Sequence, residues 1–278
     1  MQKLLILLFC FFSFITLTFA QVDTVTIHSN AMQRDIKAVV IKPSNYKKVK
    51  NFPTVYLLHG ANGNYQNWVK KVPEIIEYAN TYQTIIVCPS GANNSWYFDS
   101  PIDSTYKFET FVSTEVPNYI DTHYKTKKDR KYRAITGLSM GGHGAMFISF
   151  RHAETFGACG SMSGALVVDV IKKAYDIEKR LGNFDPITND YKQWSVLNII
   201  EKYPKDSLAI IIDCGMQDFI YKMSDSVHNK MVSLKIPHDY IVRPGKHDWV
   251  YWKKAIEYQL VYFKDFFNRE KEQIITKN

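Results

Sequence analysis

An α/β fold, with a mostly parallel central sheet of about eight strands and helices on both of its faces, is predicted by three features of the sequence. Short apolar runs rich in β-branched residues alternate with helix-length segments along the chain. With 46% of its 278 residues apolar, the chain can bury one sizeable core. No Pro-rich, Gly/Ser-rich or single-charge block divides it, so residues 21–278 are expected to form a single domain.

The elements follow in order. Residues 22–28 and 36–41 alternate or run apolar and open the fold as two strands joined near Asn30, a pair expected to run antiparallel to the rest. Residues 54–58 run apolar after Thr54, as expected of a strand buried on both faces, and residues 84–87 repeat the pattern after Thr84. Residues 108–119 carry helical spacing. A strand over 132–136, a helix over 140–150 and a strand over 158–162 come next. Residues 208–213 and 239–242 complete the sheet, with helices over 224–234 and 249–267. Between 166 and 205, roughly forty residues scatter Gly, Pro, Asn and Asp among helical segments, and a stretch that long is expected as an insertion over the carboxyl edge of the sheet.

The first twenty residues stand apart. Lys3 precedes an apolar run ending in Thr18-Phe19-Ala20, which offers small residues at the positions a signal peptidase reads. Residues 1–20 are expected to be a signal peptide and the mature protein to be exported, periplasmic or extracellular. No later segment is apolar enough to span a bilayer. Removing the leader leaves Cys88, Cys159 and Cys214, an odd number at or near the ends of strand-like runs. They are expected as small buried residues rather than a disulfide framework, although one pair is compatible with the count. No CxxC or clustered Cys/His spacing marks a metal site. The net charge of +8 is spread along the chain, with local density at residues 47–50 and 125–133, both in connections. Without a basic stripe interleaved with aromatics, this speaks against a nucleic-acid partner.

The chemistry is carried by Gly137-Leu138-Ser139-Met140-Gly141. Five residues of G-x-S-x-G are a weak signal alone, but an apolar strand leads in and a small-residue helix start leads out. That strand–turn–helix setting is the nucleophile elbow of the α/β-hydrolase fold. A serine hydroxyl there needs a base, and in this fold the order along the chain is Ser, acid, His. His152 and His228 fall within predicted helices and His238 opens a strand. His247 alone lies in the loop between the last strand and the last helix, where a base belongs. The acid should follow the preceding strand. Asp218 sits in that loop, Asp213 at the strand end is the fallback, and Asp248 is too close to His247 in sequence to face it. The backbone N–H groups of Ala61 and Met140 are the candidate oxyanion donors. His59 is expected as a structural hydrogen-bonder. Trp68, the run 94–97 and the run 249–252 cluster where substrate could lie. Trp96 and Trp249 are the candidate substrate-binding residues, and Trp252 is expected in the core.

Taken in order, Leu57-Leu58-His59-Gly60 with Gly63 and Trp68, Ser95-Trp96-Tyr97, the Ser139 elbow, Arg151-His152, Ser163-Gly164, Cys214-Gly215 with Asp218, and His247-Asp248-Trp249 resemble the putative esterase family. That family includes esterase D, feruloyl and acetyl-xylan esterases, tributyrin esterase and the mycolyltransferases. The resemblance covers nearly the whole mature chain. It implies Ser139, Asp218 and His247 as a triad, Ala61 and Met140 as oxyanion donors, and two-step ester hydrolysis without a cofactor. Export argues against a cytosolic glutathione thioester, so the expected substrate is a small-molecule or polysaccharide ester, feruloyl or acetyl on xylan. Acyl transfer to a sugar hydroxyl and a non-catalytic carbohydrate-binding relative are the competing readings. Met216-Gln217 before the acid and the long insertion depart from the commoner patterns, near the expected cleft.

Overall fold

The computed structural model describes residues 21–202 and 208–275. The leader read from the sequence, and the last residues of the insertion, lie outside them. The chain runs β1 (Gln21–Ser29), β2 (Arg34–Lys42), β3 (Thr54–Leu58), α1 (Asn67–Lys71), α2 (Ile75–Thr81), β4 (Ile85–Pro89), α3 (Phe108–Thr110), then a π-helical turn into α4 (Val116–His123). It continues with β5 (Arg133–Gly137), α5 (Met140–Arg151), β6 (Ala158–Met162), α6 (Ile177–Leu181), α7 (Val196–Ile199), β7 (Ala209–Gly215), α8 (Tyr221–Ser233), β8 (Asp239–Arg243) and α9 (Trp249–Ile275).

The strands form one eight-stranded sheet in the order β1-β2-β4-β3-β5-β6-β7-β8. β2 pairs antiparallel with both β1 and β4, and all later neighbours are parallel. This corrects one expectation: only β2 is reversed. β1 is turned twice and runs with the others, because a short turn joins it to β2 and reverses the chain locally.

The alternation of side chains along each strand builds two cores. Tyr56, Leu58, Ile85, Val87, Ile210 and Ile212 face a layer made by α4, α5 and α8. Val55, Leu57, Ile86 and Ile211 face Trp68 of α1, Ile75 of α2 and the apolar stripe of α9. Burial on both sides explains why β3 to β7 read as short, mainly apolar runs, with Thr54, Arg133, Thr136, Ser161 and Asp213 as buried exceptions. The helical run predicted over 108–119 is present but passes through the π turn at Phe111–Glu115.

Where the insertion was expected, the described residues carry only short elements. They include α6, α7 and three-residue turns at Val168–Val170 and Lys192–Trp194. Tertiary contacts hold them down: Ser100 Oγ donates to Arg180 O at 2.6 Å and Arg180 pairs with Asp103 at 3.3 Å. The two basic stretches meet at the amino edge of the parallel strands. Phe52 N donates to Lys125 O and Lys127 N to Phe52 O, both at 2.8 Å. Ser139 lies at the opposite, carboxyl edge.

Candidate active site

Ser139 stands between β5 and α5 with φ 53° and ψ −119°, a conformation that costs energy for any residue with a Cβ. The strand, the helix and the neighbouring strand all fix it. Ser139 N donates to Met162 O at 3.0 Å, and Ser139 O accepts from His143 N at 3.0 Å. The two flanking glycines are required by close approach. A Cβ on Gly141 would sit 2.5 Å from His59 O, and one on Gly137 would sit 2.6 Å from the Gly141 carbonyl. β5 and α5 can cross so tightly only without those atoms.

His247, in the loop after β8, bridges two side chains. Its Nδ1 lies 2.9 Å and 3.0 Å from the two Asp218 carboxylate oxygens, and its Nε2 lies 3.0 Å from Ser139 Oγ. With Nδ1–H donated to the carboxylate, Nε2 turns its lone pair to the serine hydroxyl. Burial pushes the Asp218 carboxyl up. Hydrogen bonds from His247 and from the Ile220 N–H outweigh that push and hold the group below its ordinary value. Asp218 is therefore an anion beside the imidazole at neutral pH. Phe219 and Trp252 pack against the His247 ring, at centroid distances of 4.7 and 4.9 Å.

The other acids are engaged elsewhere. Asp213 lies inside β7, two residues before its end, where it pairs with Arg243 and accepts from the Tyr251 hydroxyl. Asp248 accepts from Tyr251 N at 3.0 Å in the first turn of α9. His152 binds Glu109 at 2.9 Å, and His228 binds His238 at 2.8 Å. None of these three histidines is hydrogen-bonded to Ser139.

Two N–H groups flank the serine. Met140 opens α5, whose helix dipole favours negative charge at that end. Ala61 follows β3 in a loop locked by His59. Its Nδ1–H donates to Gly60 O and its Nε2 accepts from Gly91 N–H, both at 2.8 Å. Tyr97 O–H donates to His59 O at 3.0 Å. Among the described residues, neither the Ala61 nor the Met140 N–H has a protein acceptor. Burial lowers His59 to about 4, so the ring is neutral and holds the loop.

Two cavities open at Ser139. One of about 260 Å³ is walled by His247, Trp249, Trp252, Asn62, Asn67 and Tyr175, among others. A smaller one of about 20 Å³ includes Trp96, Met140, Ile171, Tyr175 and Phe219 in its wall. Trp96 and Trp249 thus line one cavity each. Trp68 does not line the site: it is buried under β3 and donates to Leu58 O at 3.1 Å. Tyr97 is likewise fully buried. Trp252 is a core residue with one edge on His247. Nothing in the local pattern marks Asn62, Asn67, Ile171 or Tyr175 as wall residues, whereas Phe219 could have been sought beside the acid it follows. Among the described residues, no group of three or more His, Cys, Asp or Glu side chains is placed to hold a metal ion.

Residues 29–263 match the family model described as putative esterase. The chain belongs to that family. This esterase is 29% identical over 219 residues to an acetyl esterase of Caldicellulosiruptor saccharolyticus, covering 74% of its own length and 81% of the relative's. It is 33% identical over 154 residues to a diacylglycerol acyltransferase/mycolyltransferase of Mycobacterium avium. That match covers 52% of the esterase and 44% of the relative, so it spans less than half of the longer protein. Among solved structures, a ferulic acid esterase superposes with TM-score 0.77 at 27% identity, over 90% of this chain and 99% of that one. A fluorophosphonate-binding serine hydrolase of Staphylococcus aureus gives TM-score 0.79 at 21% identity, over 88% and 98% of the two chains, a likeness of fold alone. The esterase is a serine esterase of the α/β-hydrolase fold. Among the described residues, no helix is long and apolar enough to cross a membrane.

Proposed function

We propose that this esterase hydrolyses acyl esters of carbohydrate through an acyl-enzyme, with Ser139 as nucleophile, His247 as base and Asp218 as the acid that orients it. The observation that carries the reading is the unbroken hydrogen-bonded line from Asp218 through His247 to Ser139 Oγ. His247 Nε2 takes the hydroxyl proton as Oγ bonds to the ester carbonyl carbon. The oxyanion accepts hydrogen bonds from the Ala61 and Met140 N–H groups. Collapse breaks the carbon–oxygen bond to the alcohol, which leaves with the proton from His247. Water then repeats the sequence, its proton passing through His247, and releases the acid and free Ser139. No cofactor enters these steps.

The carbohydrate reading is supported by the relatives named for acetyl and ferulic acid esters, and by the aromatic and amide walls of the larger cavity. The leader-like residues 1–20 support export, which the mass of the mature amino terminus tests. Acyl transfer to a sugar hydroxyl is the second reading, favoured by the mycolyltransferase relatives. It requires that added sugar be acylated at the expense of free acid. The deciding experiment is turnover of 4-nitrophenyl acetate and fluorophosphonate labelling by wild type and Ser139→Ala. Loss of labelling together with about 10³-fold or more of kcat is expected for a lost nucleophile. Equal activity in both proteins removes Ser139 from the mechanism.

A further inference from the structure

The two cavities at Ser139 differ in which reacting groups they touch, and that difference assigns them. The leaving alcohol must sit beside the group that protonates it, so it occupies the cavity walled by His247. The smaller cavity is lined by Met140 and not by His247, and Ala61, the other residue whose N–H flanks the serine, lies in the walls of both. A carbonyl oxygen held by those donors directs its acyl substituent into that cavity. Its volume of about 20 Å³ is close to the roughly 10–15 Å³ that one water-sized sphere occupies. A methyl group matches that space, and a feruloyl ring or a longer alkyl chain does not.

Part of the closure comes from one short piece of chain. Ile171 enters the wall of the smaller cavity, and Tyr175 the walls of both, from residues 171–176, inside the region read from the sequence as an insertion. This strap is pinned from outside itself. Trp96 Nε1 donates to Tyr175 O at 2.9 Å, and Asn94 Nδ2 donates to Asp176 Oδ2 at 3.0 Å. Tyr175 and Asp176 are both left-handed, with φ of 52° and 60°. Two successive non-glycine residues persist in that conformation only where the surroundings impose it. Trp96 is buried, stacked on Phe98 and met edge-on by His143, so it holds the strap from a fixed position.

We propose that the 171–176 strap is an acyl-length gate. Ile171 and Tyr175 restrict the esterase to acetyl-sized acyl groups, while the larger aromatic and amide cavity accepts a sugar alcohol. This rests on the serine-hydrolase reading above and narrows its substrate class to acetylated carbohydrate.

The test varies the acyl group and keeps the alcohol constant: kcat/KM for 4-nitrophenyl acetate, butyrate, octanoate and ferulate, with wild type, Ile171→Ala and Tyr175→Gly. Glycine suits the left-handed position at 175, and the wild-type series needs no variant at all. Wild type is expected to fall about tenfold or more from acetate to butyrate, and further for octanoate and ferulate. Each variant is expected to raise the butyrate-to-acetate ratio about fivefold or more. Comparable wild-type rates on acetate, butyrate and ferulate, all lost in Ser139→Ala, would overturn the gate and leave the hydrolase reading standing. Ratios in both folded variants equal to the wild-type ratio would also overturn it. Inertness of wild type toward all four esters, without fluorophosphonate labelling, removes the parent reading and the gate with it.

Discussion

Two histidines buried as neutral rings should make this esterase sensitive to acid well above the range where carboxylates protonate. His59 and His143 are both about 4 in the fold, each lowered chiefly by burial from an ordinary value of 6.5. The geometry gives the reason at His59, where Nδ1–H is donated to Gly60 O and Nε2 already accepts the Gly91 N–H. A second ring proton would have to displace that bond. His143 donates from Nε2 to Trp194 O, and its Nδ1 is buried with no partner, among Trp96, Phe98 and Phe147. Because the folded pKa lies below the unfolded one, the unfolded chain binds protons first as pH falls. The contribution is complete above about pH 6.5 and is withdrawn down to about pH 4. Between pH 7 and about pH 4.5, each ring should withdraw about 2.5 kcal/mol, and the two together about 5 kcal/mol. His152 works in the opposite sense, since Glu109 and Glu154 raise it against the effect of burial. The assay is urea unfolding followed by tryptophan fluorescence at both pH values, for wild type and His143→Gln. Glutamine keeps a donor for Trp194 O, and carboxylates contribute equally to both proteins. The variant should start less stable at pH 7 yet lose about 2.5 kcal/mol less on acidification. Equal losses in the two proteins would refute the argument.

Asp218→Asn should lower kcat about 10³- to 10⁴-fold with little loss of fold, because His247 loses the carboxylate that sets its tautomer. Asp213→Asn should instead cost about 3–5 kcal/mol of stability by stranding Arg243, with kcat of the folded fraction largely kept. The reverse ranking, read from steady-state rates and thermal melts, would move the acid to Asp213. Gly141→Ala, whose Cβ would press 2.5 Å from His59 O, should lower stability by about 2 kcal/mol or more in the same melts. Burial pushes the thiols of Cys159 and Cys214 up to about 12 and that of Cys88 higher still. None of the three should react with a disulfide reagent at pH 8 until the protein is denatured, and rapid native labelling would count against this.

Local pattern carried most of the architecture. Thr54–Leu58 and Ala158–Met162 have the same limits in sequence and structure, because each is buried throughout and is preceded by a residue that interrupts a strand, Pro53 for one and Gly157 for the other. β7 runs on to Gly215, past the boundary read from its apolar run. Register with β8 continues through Gly215 opposite Arg243, and pairing partners are invisible in one segment read alone. The direction of β1 was missed for the same reason. Ser139, Asp218 and His247 were legible because each follows a recognisable strand. The strap was not legible, since Ile171 and Tyr175 acquire their place from Trp96 and Asn94, some 80 residues earlier in the chain. Trp68 and Tyr97 look like cleft residues by type. Only their hydrogen bonds to Leu58 O and His59 O assign them to the scaffold.

The placement of the three hydrogen-bonded side chains across the sheet has a consequence for how the molecule comes apart. Ser139 follows β5, deep in the sheet, whereas Asp218 and His247 follow β7 and β8 at one margin. β8 is the outermost strand and only partly covered, while β5 is wholly buried. Cooperative units at such margins open at lower free energy than the centre. Fraying of this border carries His247 away from a serine 108 positions distant in sequence while the inner strands stay paired. The esterase should therefore lose turnover before it loses its far-ultraviolet signature in rising denaturant, and recover it last on refolding.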